Sequence, residues 1–197
     1  MKTTLFSLFF FLSVVVSNGQ VAAKAEDISP LLIGETLPNE KVVNAKNETV
    51  ELLSILKEKP TVLVFYRGGW CPYCNAQLSA LAQTEPDILK LGYQIIAISP
   101  ENYENIQPTI STDKINYQVF SDPNGNLLQK AGIAFKMPEQ YKSFISKKTK
   151  GELSPILPVP TVMIVNTKGE ILFEYINPNF KVRLSKELLL AVLPVFK

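Results

Sequence analysis

Apolar and polar positions along this chain keep two rhythms, one of period two or shorter and one of period 3.6, and each change of rhythm marks an element. Residues 61–66 (Thr-Val-Leu-Val-Phe-Tyr) and 93–99 (Tyr-Gln-Ile-Ile-Ala-Ile-Ser) are nearly continuous apolar runs. Such runs predict central strands covered on both faces. Between them Leu78, Leu81, Ala82, Ile88 and Leu89 recur at helical spacing, and Gly92 supplies a stop. Pro86 inside this stretch predicts a kink or a division of the helix. Upstream, Lys41-Val42-Val43 reads as a short strand, 44–47 as a turn, and 50–56 as a helical turn or short helix. Downstream, polar residues 101–116 with Pro108 predict a short helix plus loop, and 117–120 a brief strand. The turn Asp122-Pro123-Asn124-Gly125 closes that strand, and 127–131 reads as a short helix ending at Gly132. Residues 138–148 look helical and 151–158 form a Pro-rich loop. Two strands, 161–165 and 171–175, meet across Asn166-Thr167-Lys168-Gly169, a hairpin signal. Ser185 is the N-cap expected for a last helix over 186–192, its leucines against the sheet. The fold class that follows is α/β: a three-layer sandwich with a mixed central sheet flanked by helices.

The first nineteen residues follow a different pattern. Lys2 is followed by an apolar run over 5–16, too short to span a bilayer, and then by the small residues Ser17-Asn18-Gly19. This predicts a signal peptide over 1–19 cleaved before Gln20, with a second candidate site after Ala23. Residues 20–30 read as a flexible leader and 31–197 as one domain. The expected location is extracytoplasmic, periplasmic or secreted, with no stable membrane insertion after cleavage. Composition narrows the function. Hydrophobic residues are 46% of the chain and charged residues 19%, so a folded core is expected. A formal net charge of +2 is too small to argue for nucleic acid, and the lysines over 142–150 read as a solvated helix face. The sequence holds no histidine and two cysteines. That removes Ser–His and Cys–His catalytic pairs and disfavours a four-ligand zinc site. No flavin, haem or nicotinamide signature is visible, so no cofactor is expected. Asn47-Glu48-Thr49 matches the glycosylation acceptor pattern, which matters only in a eukaryotic secretory pathway.

The chemistry concentrates where the first apolar run ends. Gly68-Gly69 make a turn, Trp70 follows, and Cys71-Pro72-Tyr73-Cys74 opens the helical stretch. The free N–H groups and partial positive charge of a helix start favour a thiolate over a thiol, and the thiolate is the nucleophile. The pair could instead be a structural disulfide. So small a loop is worth only roughly 2 kcal/mol, against about 3 for fifteen residues, and it ties no two elements together. Arg67 is placed to depress the thiolate pKa, although an exposed ion-pairing arginine fits the sequence equally. Trp70 and Tyr73 either wall the site or pack as core aromatics.

This order of elements, with Trp70-Cys71-Pro72-Tyr73-Cys74 after the first buried strand and Val159-Pro160-Thr161 opening a later one, resembles the thioredoxin-like superfamily over roughly residues 33–197. The resemblance implies a cis Pro160 set against the cysteine pair. Pro72-Tyr73 is the dipeptide familiar from glutaredoxins. Within the superfamily the chain looks most like the AhpC/TSA (peroxiredoxin-like) group. The likeness rests on Phe65-Tyr66, on Ser121-Asp122-Pro123-Asn124-Gly125 with Gly132-Ile133-Ala134-Phe135, and on Arg183-Leu184-Ser185. True peroxiredoxins carry Pro-x-x-x-Thr/Ser-x-x-Cys and an arginine near the late strand. Here Arg67 falls on the proline, Cys71 on the Thr/Ser, Cys74 on the peroxidatic cysteine and Val159 near the arginine. Two mechanisms stay open. In the thioredoxin type, an exposed Cys71 attacks a substrate disulfide and Cys74 resolves the mixed disulfide. In the peroxiredoxin type, Cys74 is oxidised by peroxide to a sulfenic acid and Cys71 condenses with it. Both end in Cys71–Cys74, and both need a thiol reductant, thioredoxin-like or membrane-delivered. The alternative of another class is a non-catalytic binding module whose disulfide is permanent.

Overall fold

A computed structural model describes residues 21–152 and 154–196; the expected signal peptide over 1–19 lies outside them. The chain runs β1 (Lys41–Asn44), β2 (Thr49–Glu51), α1 (Leu52–Leu56), β3 (Thr61–Phe65), α2 (Pro72–Lys90), β4 (Gln94–Ser99) and α3 (Tyr103–Thr112). It continues through β5 (Gln118–Ser121), α4 (Asn126–Lys130), β6 (Ala134–Lys136), α5 (Glu139–Lys148), β7 (Ile156–Pro158), β8 (Thr161–Val165), β9 (Ile171–Ile176) and α6 (Lys186–Val192). Among the described residues no helix is long and apolar enough to cross a membrane.

Seven strands form one mixed sheet in the order β2-β1-β5-β4-β3-β8-β9. β3, β4 and β5 run parallel at its centre, and β8 and β1 flank them antiparallel. The continuous apolar runs are explained by burial on both faces. Val62 and Val64 of β3, with Ile95 and Ala97 of β4, point into one core beneath α2 and α6. Leu63, Phe65, Ile96 and Ile98 point into the other, covered by α1 and α4. Alternation along a strand thus feeds two helical layers, giving the three-layer α/β sandwich of the thioredoxin fold.

Several expectations are corrected. Val50 and Glu51 are strand residues paired with Val42 and Lys41, so the helix begins only at Leu52. The Asn44 side chain closes that hairpin by accepting from the N–H groups of Lys46 and Glu48. Pro86 does not divide α2, which runs unbroken for 19 residues with Pro86 on its exposed side. Leu89, expected in the core, is 46% exposed; the inward stripe is Cys74, Leu78, Leu81 and Ile88. In α6 only Leu189 is buried, while Leu188 faces outward. Part of the Pro-rich loop is strand β7, which pairs with β6, because Pro158 at a strand end forfeits no needed donor. Residues 21–30, expected to wander, are pinned. Ala22 bridges Phe135 and accepts from the Lys136 N–H, and Ala25 and Ile28 pack on a small core around Phe135 and Leu157.

Candidate active site

The site lies at the carboxyl ends of β3, β4 and β5, where three parallel strands deliver their loops side by side. β3 ends and Tyr66 still reaches across to β4, its N–H donating to Ile98. The chain then turns through Gly68 and Gly69. Gly68 has φ +142°, and a Cβ there would strike the Trp70 indole nitrogen and lie 2.7 Å from the Glu101 carboxyl carbon. A Cβ on Gly69 would strike Thr109 Oγ1. Both positions require glycine because the loop is pressed between Trp70, Glu101 and α3. The loop is held by its own hydrogen bonds: Gly69 N–H donates to Glu101 Oε2 at 2.8 Å, and the Asn75 amide donates to the Gly69 carbonyl at 2.9 Å.

Cys71 is thereby fixed as the N-cap of α2, with Pro72 following as the first helical residue. Its carbonyl accepts from the N–H groups of Cys74 and Asn75 at 3.0 and 3.1 Å. Both thiols are free, and both residues are buried, Cys71 to 1% exposure and Cys74 to none. The expected exposed nucleophile is therefore not found; the sulfur is buried beneath the loop and the first turn of α2.

The two thiols are shifted in opposite directions. A hydrogen bond from the Cys74 thiol lowers the Cys71 pKa from 9.0 to about 6, against the opposing effect of burial. The Cys74 N–H and the charges of Arg67 and Arg183 add to that lowering. Burial, followed by the interaction with Cys71, raises Cys74 well above its ordinary value. The arrangement favours a thiolate at Cys71 and a protonated thiol at Cys74. Glu101 is buried beside them, and burial lifts its carboxyl from 4.5 to about 7 despite the Gly69 hydrogen bond.

The structure brings Arg67 and Trp70 to the cysteines. Arg67 is buried to 3% exposure, not ion-paired at the surface, and its guanidinium carbon lies 4.9 Å from the Trp70 ring centroid. Tyr73 is 40% exposed and meets Phe180 edge-on at 5.7 Å. Pro160 lines a cavity of about 690 Å³ together with Arg67. Among the described residues no peptide bond is cis, so the expected cis Pro160 is corrected to trans. Trans is the lower-energy isomer by about 0.5–1 kcal/mol, and Pro160 sits just ahead of β8, where its missing N–H interrupts no ladder.

Two residues escaped the sequence reading. Arg183 Nη2 lies 3.4 Å from Cys74 Sγ. Its signal was present, since Arg183-Leu184-Ser185 carried part of the family likeness and only one other arginine exists in the sequence. Glu101 had a weaker signal: it is an acidic side chain just past a buried parallel strand, where α/β sheets place their sites.

The sequence profile of the AhpC/TSA family matches residues 33–173. Peroxiredoxin bcp1 of Schizosaccharomyces pombe is 24% identical over 160 residues, which span 75% of this chain and 81% of that protein. The 1-Cys peroxiredoxin of Medicago truncatula is 22% identical over 146 residues, 66% of either chain. Among solved structures, reduced Prx3 of Vibrio vulnificus with hydrogen peroxide superposes with a TM-score of 0.71 at 15% identity, covering 83% of this chain and 99% of that one. Peroxidoxin BcpB of Mycobacterium tuberculosis gives 0.67 at 16% identity, covering 84% and 97%.

Proposed function

From the premise that this chain belongs to the AhpC/TSA family, we propose a thiol oxidoreductase in which Cys71 attacks the substrate and Cys74 resolves. One observation carries the assignment: Cys71 caps α2, where the helix start favours a thiolate, while Cys74 lies one turn further in and fully buried, which favours its protonated thiol. With a disulfide substrate, the Cys71 thiolate bonds to one sulfur and expels the other as a thiolate. Cys74 then loses its proton and attacks the Cys71 sulfur of the mixed disulfide, releasing the second substrate thiol and leaving Cys71–Cys74 oxidised. An external thiol donor returns two electrons and two protons. This assignment places the first attack on the residue that aligns with the peroxiredoxin Thr/Ser, and not on the peroxidatic position.

A second reading is favoured by Arg183, whose guanidinium reaches the sulfur at that peroxidatic position. In it a thiolate takes one peroxide oxygen, water or an alcohol leaves, and the sulfenic acid condenses with the other cysteine and releases water. Trp70 is the sole tryptophan and adjoins Cys71, so its fluorescence reports oxidation of the reduced protein. Oxidation by a small disulfide is expected to outpace oxidation by hydrogen peroxide at equal concentration. The reverse order would replace the first reading with the second. Each of Cys71→Ser and Cys74→Ser is expected to abolish turnover with a dithiol donor, and full activity in either would end the two-cysteine mechanism. For location, the pattern over 1–19 supports an extracytoplasmic protein reset by a membrane-delivered reductant; N-terminal sequencing of protein exported from its host should begin at Gln20.

A further inference from the structure

Arg67 is 3% exposed, yet among the described residues no carboxylate lies within ion-pair distance of its guanidinium. Aromatic rings take its faces: the guanidinium carbon stands 4.3 Å from the Phe180 centroid, 4.9 Å from Trp70 and 5.4 Å from Tyr141. Ring stacking offsets part of the cost of a buried cation, but it leaves the in-plane N–H donors unanswered. The Nε donor has no partner. A planar fork with covered faces and open donors is suited to a carboxylate.

Two cavities meet this side chain. The smaller, about 260 Å³, is also lined by two acidic side chains, Glu101 and Glu152, an acidic lining that disfavours an anion. The larger, about 690 Å³, is walled by Phe135, Met137, Pro160 and Phe180. Exposed Lys24 and Lys136 on that cavity are balanced by exposed Glu26 and Glu139, so the uncompensated charge inside is that of Arg67. Its size is that of a small-molecule site, with apolar side chains on its walls and one buried charged group.

We propose that this larger cavity binds a substrate carrying a carboxylate on an apolar body, the carboxylate taking the free donors of Arg67. The inference deepens the thiol oxidoreductase reading by naming a substrate class, but the binding itself needs no turnover. Cys71 is the competing internal anion, since the Arg67 charge already acts on it.

Octanoate is the probe, titrated into the reduced full chain while Trp70 fluorescence is followed, with octanol and octylamine as controls. Saturable octanoate binding is expected, with octanol at least about tenfold weaker, an energy of about 1.4 kcal/mol, and octylamine silent. Cys71→Ser removes the internal anion and should tighten octanoate binding. Arg67→Met should weaken it by about tenfold or more. Gln140→Phe, at an exposed wall of the cavity, should do the same by filling space while leaving Arg67 intact. No saturable binding in either wild type or Cys71→Ser overturns the proposal, as does octanol binding as tightly as octanoate, or binding unchanged by Gln140→Phe. Octanoate binding without any oxidation of the pair by disulfide or peroxide would keep the site and discard the redox reading. Of two carboxylate-bearing oxidants, dithiodipropionate and a fatty-acid hydroperoxide, the one that oxidises the reduced pair faster identifies the source.

Discussion

Cys71 and Cys74 sit one helical turn apart yet titrate in opposite directions, because one caps the helix and receives a hydrogen bond while the other supplies it from a fully buried position. Alkylation of the reduced protein at Cys71 should therefore rise as pH passes about 6 and level off above it, since the thiolate is the reactive form. In Cys74→Ala the largest cause of the shift is gone, and the midpoint should move up toward 9.0. A midpoint that stays at its wild-type value would assign the low pKa to the arginines instead. Arg183 acts on the partner sulfur. A hydrogen bond to a charged group is worth about 1.5–3 kcal/mol. Arg183→Met should therefore slow resolution of the Cys71 mixed disulfide roughly ten- to hundredfold, because the Cys74 thiolate that attacks loses its donor. Quenched-flow trapping of the mixed disulfide measures this directly, and an unaltered rate would reduce Arg183 to a packing residue.

At the level of elements, α2 carries both the site and an evident flaw. Pro86 removes one i→i−4 hydrogen bond and crowds the Ala82 carbonyl, yet the 19-residue helix stays unbroken because its inward stripe of Cys74, Leu78, Leu81 and Ile88 holds it to the sheet. Pro86→Ala should raise stability by about 1–3 kcal/mol. For a chain of this size that is about 2–4 °C in Tm per kcal/mol; thermal unfolding with no gain would mean that the surrounding helix already absorbs the strain. The central strands were legible because burial on both faces leaves only apolar residues at 62–65 and 95–98. The cysteine motif was legible because its two residues lie only three positions apart in the chain. What escaped depended on distance. Arg183 is 109 residues from the sulfur it touches, and Glu101 is 32 residues from the Gly69 N–H that it accepts. Strand β7 was hidden because prolines mark loops in local sequence, whereas its pairing with β6 comes from the far side of α5. The leader at 21–30 was misread for the same reason: its polar composition says nothing of the Phe135 edge that receives it.

For the whole molecule, opposite shifts on buried groups dictate a curved dependence of stability on pH. Burial raises Glu101 from 4.5 to about 7 and Asp122 from 3.8 to about 6. Groups with raised folded pKa stabilise fully below their unfolded values and lose that contribution as pH climbs through the folded ones. Glu85, Asp113 and Glu174 are shifted upward by burial too and add to the same limb. Cys71 works the other way. Its folded pKa is depressed to about 6 from 9.0, so its contribution is absent at low pH and grows as pH rises between those values. The reduced protein should accordingly show a Tm that falls on going from about pH 5 toward about 7 and recovers toward 9. Glu101→Gln, which keeps an oxygen for the Gly69 N–H, should make the acidic limb shallower, with Asp122 and the other buried carboxyls supplying what remains, and leave the alkaline one. Oxidation to Cys71–Cys74 removes the thiolate, so the alkaline recovery should vanish while the acidic limb persists. A recovery of equal size in both redox forms would show that some other group titrates there. Its loss on oxidation would mean that the redox state of two buried sulfurs sets the pH optimum of the entire fold.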